Sequence, residues 1–209
     1  MEEEENTFAN LPYSYNQTSH ALEIKSAFEK FEGKKVSVAG RIIGIRKSGK
    51  LIFVDVLDST GKIQAYFDYA LLGEKLNSVK KMNAGDIIGV EGVVFKTKPG
   101  EISVKVESYT LLAKAMRMLP DKWHGIQDVE IRYRKRYLDL IMNPGVRDIF
   151  IKRSIIESTI REFLNSRSFF EFETPVIQPL YGGADADPFK VFVNTLNEED
   201  YLRISNELY

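Results

Sequence analysis

Residues 143–179 read NPGVRDIFIKRSIIESTIREFLNSRSFFEFETPVIQP, and this stretch predicts a long amphipathic helix joined to a short strand. Its first three residues, Asn-Pro-Gly, are typical of a turn. One face of the predicted helix is formed by apolar residues at helical spacing, namely Val146, Ile149, Ile156, Ile160, Phe163 and Leu164. Such a face is normally buried, so we expect it to pack against a core.

A second, narrower apolar stripe lies on roughly the opposite side of this helix, at Ile151 and Ile155. A single sheet packed on the first face would leave these side chains in water, so the stripe predicts a second packing partner. Residues 168–174 alternate in the manner of a strand, which Pro175 ends because proline has no N–H to donate. A plain helix and strand unit with a loosely patterned helix explains the same residues.

Several motifs in this half of the chain resemble those of class II lysyl-tRNA synthetases. They are Arg136-Tyr137-Leu138-Asp139-Leu140, the helix at 146–163, Phe172-Glu173-Thr174-Pro175, Gly182-Gly183-Ala184, Tyr201-Leu202-Arg203-Ile204 and Glu207-Leu208-Tyr209. The likeness runs from about residue 36 to residue 209. In that family the helix, strand and proline form motif 1, which builds a homodimer interface. The resemblance therefore implies that Ile151, Ile155 and Pro175 lie in such an interface.

Composition limits what the chain can bind. There are 29 basic and 30 acidic residues, for a net charge of −1, so bulk electrostatic coating of DNA or RNA is not expected and any nucleic-acid contact must be local. Without cysteine, and with two histidines, the chain lacks the residues of a thiolate or histidine-rich metal site. The start, Met1 followed by four glutamates, is unlike a signal or transit peptide, and no run has the length of a membrane span. We expect a cytoplasmic protein.

The predicted fold class is α+β with an all-β module, because the pattern changes to short strands from residue 34 to about residue 112. The five predicted strands span 36–45, 51–57, 62–67, 87–95 and 101–111, with a helix at 69–82. This order predicts a five-stranded OB-fold barrel, whose sheet face is often a nucleic-acid platform. A small β-barrel without a ligand has the same strand count.

We therefore divide the chain into four parts. These are an acidic segment with a short helix at 1–33, the OB-fold at 34–112, a linker at 113–142, and at 143–209 the first part of a class II catalytic domain with an antiparallel sheet and helices. The linker ends in a dense group of charges at 130–136. That group is either a patch facing tRNA or a solvated helix face.

Alternation in the second and third predicted strands singles out two polar-face residues. Phe53 lies on the face opposite Val54, and Gln64 lies on the face opposite Ile63, so both should point outward. An exposed ring beside an amide offers an unpaired base a stacking surface and a donor and acceptor for its edge. An ordinary exposed phenylalanine on a sheet is the alternative.

The resemblance favours the nucleic-acid interpretation and implies tRNA(Lys) as the partner. Phe53 and Gln64 match residues that read the anticodon in the family, and the turn at 96–101 carries a third, Glu101. Arg46 occupies the basic position of the first strand. Its neighbour Ile45 stands where some members also have arginine.

The resemblance also implies part of an amino-acid pocket. Gly183 would line it, and Glu207 would supply a carboxylate for the α-ammonium group of lysine, a charge-assisted pairing. Related aspartate and asparagine enzymes have an amide at the Glu207 position, which favours lysine. From the residues alone, the glycines at 182 and 183 indicate only a turn, and Glu207 is equally a surface acid at the start of a helix.

The implied activity is ligation of lysine to tRNA in two steps. ATP, with Mg²⁺, activates the lysine carboxylate to an adenylate, and the terminal ribose hydroxyl of tRNA then takes the acyl group. The family's catalytic arginines lie in the motif 2 loop and motif 3, beyond Tyr209, so we expect the 209 residues alone to be inactive. The alternatives are a non-catalytic synthetase-like protein that binds tRNA or another partner, and a synthetase for aspartate or asparagine.

Three departures from the family pattern cluster beside the predicted pocket. Asp187 replaces a basic residue, Val193 replaces a histidine, and Ser205-Asn206 replaces Ala-Pro. An altered pocket, a divergent lineage and a paralogue without catalysis each explain them.

Overall fold

The computed structural model describes residues 11–117, 119–120, 125–143 and 145–209. The chain divides into two units, Met1–Asn143 and Pro144–Tyr209. The first ten residues of the predicted acidic segment, and positions 118 and 121–124 of the predicted linker, lie outside the described residues.

The first unit is built around a closed five-stranded barrel. Its strands are β1 (Lys35–Ser48), β2 (Leu51–Leu57), β3 (Lys62–Asp68), β4 (Ile87–Lys96) and β5 (Ile102–Ala113). They hydrogen-bond in the order β1-β2-β3-β5-β4, and β4 closes the barrel against β1. The β3–β5 pair is parallel, and the other pairs are antiparallel. This is the predicted OB-fold, so the fold-class prediction is confirmed for this unit.

Alternating side chains fill the barrel, as the sequence pattern predicts. The inward residues of the two central hairpin strands are all at most 1% exposed, namely Ile52, Val54 and Val56 of β2 and Ile63, Ala65 and Phe67 of β3. Two short helices precede the barrel, α1 (Ala21–Ser26) and α2 (Phe28–Phe31). The first is tied to the β2–β3 turn because the Ala21 N–H donates to the Asp58 carboxylate at 2.7 Å.

The helix predicted at 69–82 is divided. It consists of α3 (Tyr69–Leu72), a 3₁₀ turn (Gly73–Lys75) and α4 (Leu76–Val79). Gly73 has φ +54°, a conformation that ends α3 at little cost in a glycine. Leu72, Leu76 and Val79 still reach the barrel core, so the segment closes one end of the barrel.

The charged segment before residue 143 folds around one buried carboxylate. Helices α5 (Val129–Arg134) and α6 (Arg136–Met142) bring three donors to Asp139, which is 0% exposed. Arg132 Nε donates to it at 2.8 Å, Asn143 Nδ2 donates at 2.6 Å, and Arg136 also donates. Two arginines of the charged group therefore hold this segment together, rather than projecting freely from a helix face.

The second unit consists of one long helix and a small sheet. Helix α7 (Val146–Asn165) begins after Gly145, at φ +86°, and confirms the helix predicted at 146–163. Strands β6 (Ile177–Gln178), β7 (Lys190–Val193) and β8 (Glu198–Leu202) form an antiparallel sheet in the order β6-β8-β7.

Two expectations for this unit are wrong. Residues 168–174 form no strand, because no described segment pairs with them and a strand needs a hydrogen-bonded neighbour. The apolar face of α7 is not covered by a core. Its residues Ile149, Ile156, Ile160 and Phe163 are 66%, 58%, 54% and 53% exposed, and Val146 alone among the described apolar residues of this unit is buried.

Candidate nucleic-acid interface

One face of the barrel carries a groove of about 830 Å³, called here the barrel groove. Its lining comes from β1, β2, β3, the end of β4 and the turn between β4 and β5. The residues are Arg46, Ser48, Leu51, Phe53, Gln64, Tyr66, Phe95, Lys96, Thr97, Lys98, Pro99 and Glu101. The four residues predicted to read an anticodon, Arg46, Phe53, Gln64 and Glu101, all line it. They lie on four different segments, which only the closed barrel brings together.

A row of three aromatic rings lines part of the barrel groove. Phe53 faces Tyr66 across the β2–β3 pair, and their centroids are 5.4 Å apart at 67°. Phe95 of β4 lies 5.4 Å from Tyr66 at 74°. Edge-to-face packing holds each ring in place, and half-buried Phe53 retains surface on which a base can stack.

Tyr66 and Phe95 did not emerge from the sequence as candidate site residues. For Tyr66 a signal was present, because it lies two positions after Gln64 and therefore on the same face of β3. For Phe95 there was none, since its position beside Tyr66 depends on β5 and β4 closing the barrel.

Gln64 departs from the expected outward, exposed position. It lines the barrel groove, but it is only 8% exposed. It lies between Asp55 of β2 and Ser103 of β5, and the Ser103 hydroxyl donates to Gln64 Oε1 at 3.0 Å. The parallel β3–β5 pair was not visible in the local pattern, and it is this pair that covers the amide.

Glu101 is held by the turn in which it lies. Its N–H donates to Thr97 Oγ1 at 3.0 Å, and its carbonyl accepts from the Thr97 N–H at 2.9 Å. Gly100 makes the turn possible with φ +96°. The Glu101 carboxylate pairs with Lys25 of α1 at 2.9 Å, so a residue from outside the barrel also reaches the site.

Three basic side chains, Arg46, Lys96 and Lys98, also line the barrel groove. Arg46 extends across the sheet, with Nη2 3.2 Å from the Oδ1 atom of nearly buried Asp55, while its own side chain is 60% exposed. Lys96 is the last residue of β4, and Lys98 lies in the turn that follows. Cations at the edges of a groove suit phosphate contacts, whereas the rings and the amide lie where bases would enter.

In the second unit, the two residues predicted to bind the amino acid lie together. Gly183 has φ +84°, and a Cβ atom there would lie 3.0 Å from Ser205 Oγ and 3.3 Å from Glu207 Cβ. The Glu207 N–H donates to Ser205 Oγ at 3.1 Å. The departures from the family pattern thus make contacts of their own: Ser205 orients the Glu207 backbone, and Asn206 Oδ1 accepts from the Thr174 hydroxyl at 3.1 Å.

The predicted interface residues lie on open surface. Ile151 and Ile155 are 42% and 58% exposed on α7, and Pro175 is exposed after the helix. Within the described ranges, no helix is both long and apolar enough to cross a bilayer. Nor, in that part of the chain, do three or more acidic or histidine side chains converge in a way that could hold a metal ion.

Comparison with known families agrees with both units. Residues 36–112 match the OB-fold nucleic acid binding domain, and residues 128–209 match the class II tRNA synthetases for D, K and N. The barrel and the segment that follows it therefore correspond to the nucleic-acid-binding domain and the start of the catalytic domain of class II tRNA synthetases.

Individual relatives indicate which amino acid is concerned. The chain is 48% identical over 196 residues to the lysine–tRNA ligase of Syntrophomonas wolfei, covering 93% of this chain and 40% of that protein. It is 47% identical over 198 residues to the lysine–tRNA ligase of Clostridium perfringens, covering 94% and 40%. The chain is similar to these lysine–tRNA ligases over more than nine tenths of its own length and spans about 40% of theirs.

Proposed function

We propose that this chain is part of a lysine–tRNA ligase, in which it recognises the anticodon of tRNA(Lys), supplies the dimer-forming motif 1 and contributes to the lysine pocket. The observation that carries the proposal is the barrel groove, which gathers Arg46, Phe53, Gln64 and Glu101 from four segments onto one surface. Similarity to lysine–tRNA ligases and to the class II tRNA synthetases supports the same function.

Each groove residue has a distinct part in holding single-stranded RNA. The Phe53 ring provides a stacking surface for one base. Its edge-to-face contact with Tyr66, which in turn contacts Phe95, fixes the orientation of the ring. Gln64 offers amide N–H donors, and the Glu101 carboxylate offers only acceptors, so together they contact complementary atoms on a base edge. The exposed guanidinium of Arg46 contacts a phosphate of the bound RNA in this proposal.

Gly183 and Glu207 suit the amino-acid end of the substrate. Gly183 allows the close approach of Ser205 and Glu207, because a Cβ atom there would lie 3.0 Å from Ser205 Oγ. The exposed Glu207 carboxylate accepts hydrogen bonds from the α-ammonium group of lysine. ATP and Mg²⁺ are the cofactors of the proposed reaction, in which ATP activates the lysine carboxylate and Mg²⁺ neutralises phosphate charge.

Two further properties belong to the proposal. The partner across Ile151, Ile155 and Pro175 is a second copy of the chain, because all three are exposed and the motif 1 helix has apolar residues on two sides. The location is cytoplasmic, where its tRNA substrate is used. The 209 residues alone do not activate lysine, so lysine-dependent pyrophosphate exchange should stay at background; exchange above background would contradict this.

The test of the proposed function is RNA binding by Phe53→Ala. Fluorescence anisotropy with labelled tRNA(Lys) should show binding weakened by about 1 to 3 kcal/mol, the usual worth of one base stacked on an aromatic ring. Phe172→Ala, which removes an 81% exposed ring outside the barrel, is the matched control and should bind normally. Equal affinities for wild type and Phe53→Ala would remove the ring from the interface, and no binding by the wild type would reject the function.

A further inference from the structure

A segment that precedes the barrel strands is fastened to the outside of the barrel. Residues 15–26, called here the arm, end in α1 and are anchored to β1 through Ser37, which is 6% exposed. The Ser37 N–H donates to Thr18 Oγ1 at 2.8 Å, and the Ser37 hydroxyl donates to Tyr15 Oη at 2.9 Å. The start of the arm therefore has a fixed position on β1.

Packing then fixes the rotation of α1 about its own axis. Ala21 and Ile24 are both 0% exposed and belong to the barrel core, and the Ala21 N–H donates to Asp58 at the β2–β3 turn. A helix of six residues is too short to be stable by itself, so these contacts hold it in place. Lys25, which follows Ile24, therefore leaves α1 at a defined point beside the barrel.

The Lys25 ammonium group ends on a residue of the barrel groove. Lys25 Nζ donates to Glu101 Oε1 at 2.9 Å, although the two residues are 76 positions apart in sequence. Lys25 is not itself part of the groove lining. The turn with Thr97 holds the Glu101 backbone, and among the described residues it is Lys25 that holds the carboxylate.

We propose that Lys25 is a positioning residue for RNA binding, which orients the Glu101 carboxylate at the barrel groove and offsets its negative charge, so that the arm forms part of the RNA interface. This inference rests on the proposed RNA-binding function. A carboxylate has about four acceptor sites on its two oxygens, so Glu101 can keep the contact with Lys25 while an RNA donor binds it. Without Lys25, the carboxylate would gain rotational freedom and would repel the phosphates of the bound strand.

The experiment measures binding of labelled tRNA(Lys) to the full chain by fluorescence anisotropy. Physiological ionic strength is used, because the Debye length of about 8 Å then screens distant charges. Lys25→Ala should weaken binding about threefold, as expected for the loss of one partly exposed ion pair. Lys25→Arg, which retains the charge and the donors, should bind like the wild type. Alanine is a strong helix former, so the Lys25→Ala protein should unfold close to the wild-type temperature.

The matched control is Lys35→Ala. Lys35 of β1 also pairs with a barrel carboxylate, that of Glu107 in β5, at the same distance of 2.9 Å. Neither of these two residues lines the barrel groove. The control removes the same charge from the same barrel, so it should leave the affinity for tRNA(Lys) unchanged.

A double-mutant cycle separates positioning from direct contact between Lys25 and the RNA. In a Glu101→Gln background, Lys25→Ala should cause no further loss of affinity, because the carboxylate through which Lys25 acts is already absent. A lysine that contacts a phosphate would instead lose affinity in both backgrounds, and its removal would also make binding less dependent on salt.

Three results would overturn the inference. Equal affinities of the wild type and Lys25→Ala would show that the ion pair has no part in RNA binding. An equal loss for Lys35→Ala would show a general effect of net charge, and a loss that persists in the Glu101→Gln background would show direct contact. A wild type that does not bind tRNA(Lys) would instead reject the proposed function, and the inference with it. Normal wild-type binding that is weakened by Phe53→Ala leaves that function standing, whatever the Lys25 variants do.

Discussion

The two units of this chain differ in how much apolar surface each can bury by itself. The barrel closes on its own edges, and its core residues, such as Val54 and Phe67, are 0% exposed. The second unit has a longer helix than any in the first, yet Ile149 and Ile156 on α7 stay more than half exposed. The barrel therefore buries its apolar core by itself, whereas the second unit leaves apolar surface exposed on α7.

Topology explains this difference better than composition. A closed barrel leaves no unpaired strand edge and encloses an interior that side chains can fill. A single helix beside a small sheet of short strands has no second layer to cover either apolar side. Since the chain spans about 40% of the length of its relatives, we expect further protein, or a second copy, to cover these surfaces.

The largest expected difference is in the free energy of unfolding, between a substitution in the barrel core and one on the exposed face of α7. Phe67→Ala should lower the free energy of unfolding of the barrel by about 3 to 5 kcal/mol, because it removes a large, fully buried side chain. Ile156→Ala, at a 58% exposed position, should change stability by less than about 0.5 kcal/mol. Urea titrations followed by amide hydrogen exchange report the two units separately. A large loss for Ile156→Ala would show that the face is packed after all.

A smaller effect, on association, should tell the two sides of α7 apart. Replacing both Ile151 and Ile155 by aspartate should convert dimers to monomers in sedimentation runs, because a charge buried in an apolar contact has no partner. The matched variant places aspartate at both Ile149 and Ile156 on the other face. If that variant dissociates and the first does not, the interface lies on the face of Ile149 and Ile156, which would contradict our proposal.

The smallest expected effect is on the pH dependence of stability in the first unit. Burial alone raises the pKa of the Asp139 carboxyl, but hydrogen bonds from Arg132 and Asn143, with the charge of Arg136, outweigh it and hold the pKa below its ordinary value. The stability gained is therefore present above about pH 4, the usual carboxyl pKa, and is lost as the pH falls through the lower folded-state value.

Asp139→Asn should accordingly be less stable than the wild type at neutral pH, and the difference should shrink in acid. Asp187→Asn, at an exposed carboxyl in the second unit, serves as the control and should follow the wild type throughout. A constant gap between wild type and Asp139→Asn across the acid range would exclude the ion cluster as its cause.

Local patterns predicted the elements well where neighbours in sequence are also neighbours in space. The β2–β3 hairpin and α7 fall where alternation and helical spacing place them. The strand expected at 168–174 failed because alternation shows which side chains share a face, but not whether a second strand lies alongside. For the same reason, the pattern placed Phe53 on the outer face of β2 but could not foresee that β5 would cover Gln64.

The sequence by itself determined where the five barrel strands and the long helix lie along the chain, because period is a local property. The residue types proposed for an anticodon and a lysine pocket came from the resemblance to lysyl-tRNA synthetases. Only the tertiary structure decided that Arg46, Phe53, Gln64 and Glu101 share one groove. It also decided that Ser103 lies against the amide and that α7 remains uncovered on both sides. Those outcomes depend on the parallel pairing of β3 with β5 and on what packs against each surface, and contacts between distant segments leave no local periodicity to read.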